Sequence, residues 1–128
     1  MKRSIFFIIT AVMAIMFGSM MLLAPTFAAE NFGLASTAET SLLFRSLGGV
    51  VLPLGILNFL VRNEPNSNTL KAILIVNILS HAITMCNDLY GASNGVLLFS
   101  KIGGGIVAHL FIGIGSLIFL LKMKSSNN

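Results

Sequence analysis

Four apolar runs, each about as long as a bilayer core is thick, leave this chain little choice of fold. They lie at 4–24, 42–61, 70–90 and 96–123, with short polar turns between them. Only 9% of the 128 residues are charged and 55% are hydrophobic, and the mean hydropathy is +0.93. A water-soluble domain carries about 25% charged residues, so lipid is the expected solvent for most of the surface. The expected fold is all-α: one transmembrane four-helix bundle over 1–128, with helices at about 4–24, 37–62, 69–90 and 96–123. No length is left for a separate soluble catalytic domain.

The net charge of +4 does not point to nucleic acid, because the basic residues sit at the ends of apolar runs rather than in a cluster. Lys2, Arg3, Arg62, Lys71, Lys122 and Lys124 fall on one side, and only Arg45 and Lys101 fall on the other half. The positive-inside rule then places both termini in the cytoplasm, with the chain crossing the membrane several times. Thr26-Phe27-Ala28 before Ala29 resembles a signal-peptidase site. The first run, however, exceeds the roughly 7–15 apolar residues of a signal peptide, which favours its retention as a helix.

Local signals set the expected boundaries. Pro25 ends the first helix, and 26–41 reads as a connection. Ser36-Thr37-Ala38-Glu39 fits a capping box that starts the second helix. Pro53 lies inside that helix and predicts a kink. Pro65 stops it, Asn68 or Thr69 caps the third helix, and Gly91 ends the third.

The polar residues within the runs locate a site. At 100° per residue, Asn77, Thr84 and Asp88 fall within roughly 60° of His81, forming one stripe that should face the bundle interior. Cys86, the lone cysteine, is expected to be packed. At about 1.5 Å per residue, Arg45, Asp88 and Lys101 share one layer roughly 10–16 Å outward of the midplane. This predicts an Arg45–Asp88 ion pair with Lys101 nearby, and Gly48, Gly49, Gly104 and Gly105 allowing close approach. Asn77, Thr84 and Asn58 are expected to hydrogen-bond between helices. His81 and His109 fall near the middle of adjacent antiparallel helices. They either hold those helices together, or ligate a b-type haem or metal, or handle protons or a quinone.

Several short motifs occur in order: a first helix ending in proline, Phe32-Gly33-Leu34, Arg45-Ser46-Leu47-Gly48-Gly49 with Gly55, His81 with Asp88 and Gly91, and a glycine-rich last helix. Together they resemble the small bacterial four-helix membrane proteins of the DoxX-like group. That resemblance implies a four-span bundle without an agreed activity, some of whose relatives are linked to quinone or sulfur redox chemistry. Small multidrug transporters share the length, but the membrane-embedded glutamate of their first helix has no counterpart here.

Two function classes follow. In the first, a non-enzymatic bundle binds a lipid, a quinone or a membrane-protein partner, a second copy included, through the Arg45–Asp88–Lys101 layer. In the second, a redox subunit or proton-linked transporter uses His81 and His109. No activated nucleophile, paired carboxylate or metal-spacing motif appears, which favours the first and predicts no catalytic residue and no resident cofactor.

Overall fold

The structure, a computed structural model, describes residues 1–125, with side chains to residue 123. Of the expected cytoplasmic bases, the Lys124 side chain lies outside the described residues, as does the polar tail at 126–128. Five helices and no strands are present among the described residues: α1 (Arg3–Leu23), α2 (Pro25–Asn31), α3 (Ala38–Leu60), α4 (Asn68–Ser93) and α5 (Phe99–Ser125). The four long ones have the length and apolar character to cross a membrane. The chain is therefore a multi-pass membrane protein, and its four-helix bundle matches the fold read from the sequence. Large side chains on the outside, such as Leu42, Leu60, Ile83 and Val107, are more than half exposed, as lipid contact requires.

The boundaries depart from expectation where polar groups find different partners. Pro25 starts a helix as well as ending one: it is the first residue of α2, where the N–H it lacks would have no intrahelical acceptor. The α3 cap is one residue later than expected. Thr37 Oγ1 accepts from the Thr40 amide, and Thr40 Oγ1 accepts from the Thr37 amide. Ser67, rather than Asn68 or Thr69, caps α4 by accepting from the Leu70 amide at 3.1 Å. Gly91 stays helical, and α4 ends instead on Gly95 at φ 71°. There the Val96 amide donates to the Gly91 carbonyl and the Gly95 amide to that of Ala92. These bonds make a Schellman turn that only glycine enters without strain. Gly33, at φ 77°, closes α2 in the same way, with Leu34 donating to Ala29 and Gly33 to Glu30.

Two helix pairs form the bundle: α1 along α3, and α4 along α5. The first pair is held by a glycine seam. A Cβ on Gly18 would lie 2.6 Å from the Leu52 amide nitrogen, one on Gly48 2.6 Å from that of Leu22, and one on Gly55 2.8 Å from that of Ile15. Lipid supplies no hydrophobic drive for helix association, so backbone-to-backbone packing of this kind carries the pairing.

The two pairs join at the end that holds Arg3 and the α3–α4 turn, where Arg3 donates to Asn66 Oδ1 at 2.6 Å and to the Glu64 carbonyl. Phe6, Phe7, Leu70, Leu74 and Ile112 form the core there. The Phe6 ring lies against Gly115 and near Phe111 and Phe119, with ring centroids 5.7 and 5.2 Å away. Ala28, Ala29 and Phe44 make a smaller core under α2 at the opposite end.

Candidate functional site

The site lies on the α4–α5 seam. Helical spacing puts Asn77, His81 and Asp88 along one side of α4, with Asn77 and His81 four residues apart and therefore one above the other. On α5, glycines leave the room opposite them. A Cβ on Gly105 would stand 3.9 Å from Asp88 Oδ2, and one on Gly113 3.9 Å from His81 Cβ. His109 lies between these two glycines. Its Nδ1 is 2.7 Å from His81 Nδ1, and its Nε2 is 3.5 Å from Asp88 Oδ2. Three titratable groups from two helices thus form one chain running from mid-helix toward the end of the bundle that carries α2.

The distances assign the protons. A hydrogen bond between two Nδ1 atoms needs one donor and one acceptor. His109 Nε2 faces a carboxylate and takes the hydrogen, so in the neutral ring its Nδ1 is the acceptor. His81 Nδ1–H then donates to it. His81 Nε2, for which no hydrogen bond stands among the described residues, is left with the lone pair.

Beside the imidazoles runs a groove of about 170 Å³, lined by Ile78, Met85, Leu110, Ile114 and Leu117 along with both histidines. Leu110, Ile114 and Leu117 are also exposed on the outer surface of the bundle, so the groove opens toward lipid. Four of its lining residues stand one or two helical turns from a histidine (Ile78 and Met85 from His81, Gly113 and Leu117 from His109). That spacing is the signal by which they could have been found in the sequence.

The expected charged layer is corrected. Asp88 pairs with His109 and not with Arg45, which is exposed on α3. The reason is the pairing of helices: α3 spends its packing face on α1, while α5 brings an imidazole directly to Asp88. Lys101 is exposed, with its stem 3.5 Å from the position of a Cβ on Gly33 and no ion pair among the described residues. Gly48 serves the α1–α3 seam, while Gly49, Gly103 and Gly104 have nothing within 4 Å of a Cβ. Thr84 makes no interhelical bond among the described residues; its hydroxyl donates back to the Ser80 carbonyl at 2.8 Å. Cys86 is exposed rather than packed.

Asn77 does bond between helices. Its Nδ2 donates to Asn58 Oδ1 at 2.8 Å, and Asn58 Nδ2 donates to the Leu54 carbonyl at 2.8 Å. Both amides are buried. Two imidazoles sharing one metal between facing nitrogens need about 4 Å, twice a metal–nitrogen bond of about 2.0 Å. The 2.7 Å between the Nδ1 atoms is a hydrogen-bond distance, so a shared haem iron or metal does not fit between them. No cluster of three metal-ligating side chains stands out among the described residues.

No protein-family model matches the chain, and neither a curated protein nor a solved structure matches it.

Proposed function

We propose that this chain is a proton-linked protein of the bacterial cytoplasmic membrane, with the His81–His109–Asp88 chain as its working part. The reading rests on one observation, the 2.7 Å Nδ1–Nδ1 contact continued by the 3.5 Å approach of His109 to Asp88. A proton taken up at His81 Nε2 makes that ring cationic. His81 then releases its Nδ1 hydrogen to His109 Nδ1, and His109 passes its Nε2 hydrogen to Asp88. Each ring gains one proton and loses one, and the positive charge ends by neutralising the carboxylate. Resetting requires the protons to return or the rings to turn over. Both termini on the cytoplasmic side, as the positive-inside rule has it, put Asp88 toward the outer face.

The apolar groove supports a companion reading, in which a lipid-soluble molecule such as a quinone or a lipid tail enters from the membrane and meets the imidazoles. Kinship with the DoxX-like group belongs to the same proposal and rests on the short motifs named above.

The test is proton movement in vesicles containing the purified protein, under an imposed membrane potential and with a pH-sensitive dye inside. The reading expects uptake that falls in H81Q, H109Q and D88N but not in R45Q. Uptake by the unaltered protein no faster than that of protein-free vesicles overturns it.

A further inference from the structure

Among the described residues, each of the four long helices carries one buried polar side chain between the imidazole pair and the Arg3 end: Thr10 on α1, Asn58 on α3, Asn77 on α4 and Ser116 on α5. Two of them stand out. Thr10 and Ser116 are 1% and 0% exposed, and neither hydroxyl oxygen has a hydrogen-bond partner among the described residues. A helical hydroxyl in apolar surroundings ordinarily turns back onto the carbonyl four residues earlier. Thr84 of this chain does so; Thr10 and Ser116 do not.

Placement relates these four groups to the site. Phe6 touches Gly115, which brings the first turns of α1 against α5 beside Ser116, and Thr10 stands one turn above Phe6 on the same face. Ser116 lies seven residues from His109 on one face of α5, roughly 10 Å along the axis. Asn77 lies one turn below His81. Its donation to Asn58 Oδ1 engages one of its two N–H groups. Two unpaired hydroxyls and a pair of buried amides therefore lie along the helices on the Arg3 side of His81.

We infer that this half of the bundle is a water-binding file, with Thr10, Ser116, Asn58 and Asn77 holding water that supplies protons to His81 from the cytoplasmic side. Water is the occupant because it is small and both donates and accepts. Buried water characteristically satisfies polar groups that the protein leaves unpaired. The inference rests on the proton-linked reading for its purpose, but not for the presence of water.

Water-edited solid-state NMR of the full chain in lipid tests the file directly. Rapid transfer from water to the Thr10, Ser116 and Asn77 side chains is expected, with weak transfer to Leu70 and Leu74 in the neighbouring core. T10V and S116A should remove the transfer to Asn77 while the His81–His109 signals stay in place, and should slow proton uptake several-fold. Absence of transfer to Thr10 and Ser116 in the unaltered protein overturns the file. So does uptake in the double variant T10V/S116A equal to that of the unaltered protein. If the unaltered protein moves no protons at all, the relay falls, and the NMR transfer alone decides the file.

Discussion

The Nδ1 atoms of His81 and His109 meet at 2.7 Å across the α4–α5 seam, and this contact ties the protonation of each ring to that of the other. The first prediction concerns pH. While at least one ring is neutral, one nitrogen donates and the other accepts. Once acid has protonated both rings, two N–H donors face each other and the bond is lost. The stabilisation is thus present at higher pH and disappears as pH falls. Nitrogen NMR of labelled histidine should show one protonated and one bare Nδ1 above the transition and two protonated ones below it. Two rings titrating independently at all pH values would contradict the contact.

Asp88 and Arg45 should behave differently from each other. D88A removes the partner of His109, and the loss should appear as a lower melting temperature in detergent and a changed His109 signal. R45E, on an exposed position, should leave both as they are. Restoration of a D88R variant by R45D would show that the two charges do meet.

The glycine seam predicts a contrast within one dipeptide. In G48A the new methyl carbon would lie 2.6 Å from the Leu22 amide nitrogen and 2.7 Å from the Gly18 carbonyl oxygen, so backbones must part. The cost is of the order of 1–3 kcal/mol, as for overpacked cores. At Gly49 nothing lies within 4 Å, and G49A should be neutral or stabilise by about 0.5–1 kcal/mol through helix propensity. Thermal or denaturant unfolding of the two variants measures the difference.

Asn58 and Asn77 offer a double-mutant cycle. N77A leaves the buried Asn58 amide short of a partner and should cost about 1 kcal/mol. N58L/N77L removes both polar groups and should recover part of that loss. A loss in N58L/N77L equal to the sum of the losses in N58L and N77L would mean that the two amides do not cooperate.

Much of the architecture was legible because lipid imposes it. Run lengths specify four spans, and the 3.6-residue period placed Asn77, His81 and Asp88 on one face of α4. Hydropathy does not say which helix touches which, so shared depth alone pointed to Arg45 as the partner of Asp88, and His109 was passed over. Only the α1–α3 seam, which uses up the packing face of α3, decides between them. Thr84 was misread because its period matches the stripe, whereas its hydroxyl is satisfied by its own backbone. The helical start at Pro25 was hidden because a proline that stops one helix has the same φ as one that begins the next. Thr10 and Ser116 were visible only as small interruptions in greasy runs; their isolation from any acceptor is a property of packing.

The glycine seam also bears on how the protein is made. Every residue that interlocks α1 with α3 lies N-terminal to Pro65, so the ribosome has delivered both halves of that zipper before α4 emerges. The first hairpin can close in the bilayer while the imidazole-bearing pair is still being synthesised. Insertion would then proceed by docking a second hairpin onto a finished one rather than by collecting four loose helices.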